Sequence, residues 1–192
     1  MTRLDQQMAF LTEADRLKSV LRATTLCDGS RMENSAEHSW HIALYALVLA
    51  EHAEQPLNTG KIVKMLLLHD LVEIDAGDAP VFADHDADAL ADREQAAADR
   101  IFGLLSDDQA QTFRDIWDEF EANETPEAQF AKSIDRMQPP MQNLASGGGS
   151  WIDYDVTYEK FASRIGPKID SGAPKIWAWI QPKVAAFFAS RD

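Results

Sequence analysis

Apolar residues recur at three- and four-residue steps along most of this 192-residue chain, the spacing typical of helices with one buried face. No segment sustains the polar and apolar alternation of a strand, and no internal repeat is present. We therefore predict an all-α fold, a helical bundle forming one domain over residues 1–192. The predicted helices span about 5–26, 34–53, 62–74, 87–105, 107–122, 126–138, 155–165 and 173–189.

Local signals support several of these helix ends. Asn34, with a glutamate three residues later, is a variant of the capping box, and Thr125 is a cap residue followed by Pro126 in the first turn. Residues 139–140 are both proline and are expected to end the preceding helix. The 34–53 segment is apolar nearly all round, which predicts a central position in the bundle.

The charge balance restricts the partners. The chain has 18 Lys and Arg against 32 Asp and Glu, a net charge of -14, so long nucleic acids and anionic membrane surfaces are poor partners. A small anionic substrate remains compatible, because a bound dication and a few arginines reverse the sign locally. No apolar run is long enough to span a bilayer, and the single Cys27 suits a reducing compartment. We expect a cytoplasmic protein without a membrane partner.

An adjacent histidine and aspartate lie near the end of an apolar predicted helix. Three leucines run directly into His69 and Asp70. Burying an unpaired charge costs several kcal/mol, so this pair needs a partner, and a divalent cation is a suitable one. Imidazole with carboxylate favours Mn, Fe, Co, Ni or Zn over calcium. By itself the pair also fits a structural hydrogen bond, but His38 and Asp135, both set among core-type residues, are candidates to complete a site.

The motifs around these residues resemble the HD-domain phosphohydrolases, specifically the 5′-deoxynucleotidase branch. The resemblance covers roughly residues 17–142, with the C-terminal helices of about 155–189 outside it. Its motifs are Arg31-x-Glu33-Asn34-Ser35-x-Glu37-His38-Ser39, then Leu67-Leu68-His69-Asp70-Leu71-Val72-Glu73-Ile74-x-x-Gly77-Asp78, then Ile134-Asp135-Arg136.

The resemblance implies an all-helical HD domain and a set of site residues. The metal ligands are expected to be His38, His69, Asp70 and Asp135, holding one divalent transition metal (Mn, Co, Fe, Ni or Zn, with Mg possible). Asp70 also counts as catalytic.

Two further residues have roles implied by the resemblance. Glu73 falls at the position of a catalytic or water-positioning acid, and Asp78 at that of a residue near the sugar and phosphate. The expected reaction converts deoxynucleoside 5′-monophosphates to deoxynucleoside and phosphate, and members of the branch are commonly homodimers.

Two arginines are candidates to bind the substrate phosphate, because the guanidinium fork matches phosphate oxygens in pairs. Arg31 lies in the first motif, and Arg22 precedes it. The branch often has an Arg-Trp pair in this segment, whereas alanine follows Arg22 here, so sugar and base preference stay open. Either arginine could instead form a salt bridge with one of the many acids of the chain.

Two alternatives remain at the level of sequence. The same metal site could serve another small phosphoester or nucleotide. Alternatively, the chain could be a non-catalytic, nucleotide-binding HD module whose aromatic C-terminal segment forms a contact surface. The presence of all four ligand types favours an enzyme.

Overall fold

The computed structural model describes residues 1–191, and in this range the regular elements are helices and one short two-stranded ribbon. The all-α prediction is therefore confirmed. The helices are α1 (Arg3–Ala14), α2 (Ser35–Leu49), α3 (Thr59–Leu68), α4 (Glu73–Ala76), α5 (Ala87–Phe102), α6 (Asp107–Ala122), α7 (Pro126–Ala145), α8 (Ser150–Asp153), α9 (Tyr158–Arg164), α10 (Gly166–Asp170) and α11 (Pro174–Ala189). Shorter 3₁₀ helices span Asp15–Ser19, Ala50–His52 and His69–Val72.

The first predicted helix, over 5–26, was wrong in its second half. The chain leaves α1 at Ala14, and strand β1 (Leu21–Thr25) pairs antiparallel with strand β2 (Met32–Asn34). The pairing across the connecting turn supplies the backbone hydrogen bonds that a helix would otherwise provide. The turn includes Gly29, whose φ of 70° lies in the left-handed region that glycine adopts at little cost. The expectation that no strand would form was also wrong.

The expected helix end at residues 139–140 was wrong as well, because α7 continues through both prolines to Ala145. The prolines cannot donate hydrogen bonds to the carbonyls of Asp135 and Arg136 one turn earlier. Side chains on both sides of the prolines are buried, including Met137 and Asn143. Tertiary packing therefore keeps the helix continuous where the local signal predicts an end.

Helix α2 does not occupy the central position that its composition predicts. One face is buried through Ile42, Ala43 and Ala46. The other face exposes four large apolar side chains, which we call the α2 apolar face: Trp40, Leu44, Leu47 and Val48, between 43% and 63% exposed. Within residues 1–191, none of the helices combines the length and the apolar character that crossing a bilayer requires.

Two clusters of buried side chains form the core. The larger joins α2, α3 and α7 to the C-terminal helices, and the smaller joins α1, α5 and α6. The end of α3 passes from one to the other, since Met65 and Leu66 belong to the larger cluster and Leu68 and Leu71 to the smaller. This passage brings the His69–Val72 turn between the two clusters.

Candidate metal centre

Three buried side chains from three helices converge where the two clusters meet. His38 lies in the first turn of α2, which Asn34 and Glu37 cap reciprocally, and Asp135 lies in the middle of α7. His69 stands where α3 gives way to the 3₁₀ turn. One potential ligand atom from each of these three residues lies within 4.8 Å of the others.

The two histidine rings are oriented by hydrogen bonds on their far sides. Nδ1 of His69 lies 3.0 Å from the Leu66 carbonyl oxygen, and Nδ1 of His38 lies 3.1 Å from Oε1 of Gln138. Both partners are acceptors, so Nδ1 donates in each ring and Nε2 is left to face the carboxylates, where it offers its lone pair to a metal once it is deprotonated. Each Nε2 faces Asp135 Oδ1, at 3.0 Å from His38 and 3.8 Å from His69.

The donor set fits a divalent metal ion. Nε2 of His69 is buried among carboxylate oxygens but makes no hydrogen bond, the condition expected of an atom that ligates a metal. Neutral imidazole nitrogen with carboxylate oxygen is a donor set for Mn, Fe, Co, Ni or Zn.

Asp70, the fourth expected ligand, lies beside this group. Its Oδ1 is 2.9 Å from Nε2 of His69, and its Oδ2 accepts a hydrogen bond from Nη1 of Arg22 at 3.0 Å. Burial opposes ionisation, but the positive charges of His69 and Arg22 outweigh it and lower the pKa of Asp70 to about 2. Asp70 is thus held as a carboxylate next to the three converging residues.

Arg22 also gathers the other two acids expected at the site. Its Nη1 lies 3.7 Å from Glu73 Oε1 and 3.6 Å from Asp78 Oδ1. Burial raises the pKa of Glu73 well above its ordinary value, and the negative charge of Asp70 adds to the effect. Burial likewise raises the pKa of Asp78, partly offset by Arg22. Nearby cations likewise hold the pKa of Asp135 well below its ordinary value despite its burial, so the site contains two acids held ionised, Asp70 and Asp135, and two that keep their protons to higher pH.

Sequence reasoning missed the polar residues that support the ligands. Gln138 Nε2 donates to Oε1 of Glu33 at 2.9 Å, and Gln142 Nε2 donates to the same oxygen at 2.8 Å. Gln138 also lies 3.2 Å from Nδ1 of His41. Glu33 is part of the first motif, but nothing local shows that it faces α7. The signal that could have found these glutamines is polar residues recurring on the buried face of a helix.

A cavity of about 370 Å³ opens beside the metal-binding group. Aromatic and aliphatic side chains line one part of it, among them Phe82, Tyr154 and Phe161. Charged side chains line the rest, including His69, Asp70, Glu73, Asp78, Asp135 and Arg22 from the predicted site. The cavity therefore offers an apolar surface and a strongly polar one to the same small molecule.

Arg31 is not among the residues lining this cavity. It is exposed on the turn before β2 and pairs with Glu37 at 2.6 Å. Arg22, by contrast, is held in the site by β1. His85 is exposed but also belongs to the cavity lining. Of the two arginines expected to bind phosphate, the fold brings Arg22 to the cavity and leaves Arg31 away from it.

Comparison with known proteins gives a consistent family relationship. A family model described as an HD domain matches residues 14–177. The human protein named 5′-deoxynucleotidase HDDC2 is 28% identical over 161 residues, covering 80% of this chain and 78% of that protein. A Yersinia pestis protein named 5′-deoxynucleotidase is 27% identical over 173 residues, covering 84% and 87% of the two chains.

A solved structure extends the similarity over nearly the whole chain. The crystal structure of a "predicted metal-dependent phosphohydrolase" from Magnetospirillum magnetotacticum superposes with a TM-score of 0.89 at 44% identity, covering 96% of this chain and 95% of that one. A Pyrococcus horikoshii protein superposes with a TM-score of 0.67 at 21% identity, covering 92% and 99%, and supports the fold alone.

Proposed function

The chain belongs to the HD-domain family, and on that premise we propose that it is a metal-dependent phosphomonoesterase that hydrolyses deoxynucleoside 5′-monophosphates to deoxynucleoside and phosphate. The observation that carries the proposal is the buried group of His38, His69 and Asp135, which lies beside a cavity containing a buried arginine. Relatives named 5′-deoxynucleotidase and a structural neighbour described as a metal-dependent phosphohydrolase support it.

In this proposal His38, His69, Asp70 and Asp135 hold one divalent transition metal, Mn, Co, Fe, Ni or Zn, with Mg also compatible. When bound, the ion supplies positive charge that polarises the phosphoryl group and lowers the pKa of water. Asp70 enters as a carboxylate, because its pKa of about 2 keeps it ionised at neutral pH.

The remaining residues bind substrate and move protons. Arg22, as a permanent cation, binds a phosphate oxygen with its guanidinium and offsets the charge of the surrounding acids. Glu73 accepts a proton from the attacking water, a role suited to an acid whose pKa burial raises well above its ordinary value. After the phosphorus–oxygen bond breaks, that proton can pass to the 5′-oxygen of the leaving deoxynucleoside. Asp78 contacts the sugar and phosphate.

Metal-restored turnover tests this function. We would remove metal with a chelator, add back Mn, Co, Ni, Zn or Mg, and measure phosphate release from deoxy- and ribonucleoside 5′-monophosphates, beside Asp70→Ala. The proposal requires release that returns with metal, favours deoxy substrates and is lost in Asp70→Ala. No release with any metal and any monophosphate would refute it.

We also propose that the protein is a homodimer whose copies meet through the α2 apolar face. Contiguous exposed apolar surface of this kind is typical of interaction sites. Residues 39–50 contain no Asp, Glu, Lys or Arg. Two chains that each carry a net charge of -14 repel least where such an uncharged surface meets its copy. A two-fold axis would bring this face against itself.

A further inference from the structure

Three cationic side chains from the C-terminal half of the chain line the cavity and have no role in the function proposed above. Lys132 and Arg136 lie one helical turn apart on α7, on either side of Asp135, and Lys168 comes from α10. Side chains four residues apart on a helix are neighbours, so Lys132 and Arg136 share one face.

Close packing of α10 on α7 places Lys168 beside the other two cations. The Ser133 hydroxyl lies 3.1 Å from the carbonyl oxygen of Lys168 and 2.8 Å from that of Gln129. The backbone N–H of Gly172 donates to the same hydroxyl at 3.1 Å. A Cβ at Gly172 would stand 2.2 Å from the Gln129 carbonyl oxygen, so only glycine permits this approach.

The charges of these cations are not fully matched by nearby acids. Lys132 pairs with Glu121 at 3.0 Å, and Nε of Arg136 lies 3.3 Å from Oδ2 of Asp135. Lys168 has no ion-pair partner among residues 1–191. Burial lowers the pKa of Lys168, and the positive charges of Arg136 and Lys132 lower it further. Lys168 is therefore a cation of the cavity lining whose charge is not neutralised by a paired acid.

We propose that Arg136 and Lys168, with Lys132 next to them, form a second phosphate-binding wall that grips the non-bridging oxygens of the substrate phosphate from the α7 and α10 side. This inference rests on the proposed function and deepens it. Arg22 reaches the cavity from β1, a different element, so the phosphate is held by cations from two walls. The wall on α7 and α10 supplies the second cationic contact that Arg31 cannot make from its exposed turn.

The arrangement implies a preference for phosphomonoesters. A monoester carries close to two negative charges at neutral pH and has three non-bridging oxygens, whereas a diester carries one charge and has two. Two cationic walls therefore favour the monoester over a cyclic or diester phosphate. The acids that face the same cavity, Glu94 and Glu121, disfavour any anion that does not reach the cations.

Inorganic phosphate is the probe for this wall. We would measure its binding to the metal-loaded protein by titration calorimetry for wild type, Lys168→Gln and Lys168→Arg, with Lys175→Gln as the matched control on the exposed surface of α11. We expect phosphate binding weaker by about five- to tenfold in Lys168→Gln, as for loss of one charge-assisted contact. Binding should be near wild type in Lys168→Arg and in the control.

The kinetic readout separates this inference from the proposed function. With a deoxynucleoside 5′-monophosphate, Lys168→Gln should raise KM by a similar factor and change kcat less, while inhibition by the deoxynucleoside product stays unchanged. Phosphate binding and KM equal to wild type in Lys168→Gln would overturn the inference, even if the enzyme hydrolyses its substrate normally. If no monophosphate is hydrolysed but phosphate binding still depends on Lys168, the proposed function fails and the anion-binding wall stands.

Discussion

Oε1 of Gln138 accepts a hydrogen bond from Nδ1 of His38 at 3.1 Å, and this contact fixes which ring nitrogen of His38 can face Asp135. The amide is itself held, because its Nε2 donates to the buried carboxylate of Glu33. Partners of this kind determine the tautomer and the orientation of a ligating histidine. Residues of α7 and β2 thus together fix the orientation of the His38 ring.

Replacing Gln138 with leucine should weaken metal binding without removing a ligand. The variant takes away the acceptor for Nδ1 of His38 and leaves the Glu33 carboxylate short of one donor. We expect about 10- to 100-fold lower metal affinity, measured by competition with a chelator of known affinity. Gln111→Leu, on the exposed face of α6, should match wild type. An unchanged affinity in Gln138→Leu would show that the hydrogen bond does not support the site.

Glu73→Gln should separate catalysis from metal binding. Loss of a general base costs roughly 10²- to 10⁴-fold in rate, while metal affinity should change little. Because burial raises the pKa of Glu73, wild-type kcat/KM should rise with pH through an apparent pKa well above the ordinary 4.5. Both points are checked by measuring kcat/KM over a pH series for wild type, Glu73→Gln and Glu159→Gln, an exposed control on α9. Near-normal turnover in Glu73→Gln would remove Glu73 from the mechanism.

The stability of the metal-free protein should fall as pH rises from about neutral to 10. Burial alone would lower the pKa of His69, but Asp70 and Asp135 outweigh it and raise the pKa to about 10, from an ordinary 6.5. Protonated His69 therefore stabilises the fold fully below pH 6.5, and this contribution is lost as pH passes 10.

Denaturant titrations at several pH values measure this loss, which should be on the order of a few kcal/mol. In His69→Asn, the free energy of unfolding should change much less over the same pH range. With metal bound, the His69 imidazole is a neutral ligand, so metal binding between neutral pH and pH 10 should release a proton. A wild-type stability that changes with pH no more than that of His69→Asn would contradict the assigned pKa shift.

A charge placed in the α2 apolar face should dissociate the proposed homodimer. Leu47 is 60% exposed, so Leu47→Glu costs the monomer little but places two carboxylates across the interface. Sedimentation should change from twice the chain mass of 21.4 kDa to that mass. Leu11→Glu, at a similarly exposed position of α1, should stay dimeric. A monomeric wild type at micromolar concentration, or a dimeric Leu47→Glu, would contradict the proposal.

Much of the fold was predictable because its signals are local. The apolar spacing and the caps identified most of the helices, including α2, α5, α6 and α11, to within a few residues. His69 and Asp70 at the end of an apolar helix indicated a buried polar site for the same reason: the cost of burying a charge can be judged from its neighbours in sequence. The resemblance to a family then supplied the ligand set.

Tertiary structure decided what local signals leave open. Strand pairing, formed between segments on either side of a turn, brings Arg22 into the site, while Arg31 in that turn stays outside. Packing on both sides of residues 139–140 carries α7 through two prolines, so that Gln142 joins Gln138 at Glu33, more than 100 positions away in sequence. Composition made α2 apolar, but only the positions of α3 and α7 decided which face stays exposed. Periodicity and caps act over a few residues, whereas the site depends on which helix faces meet.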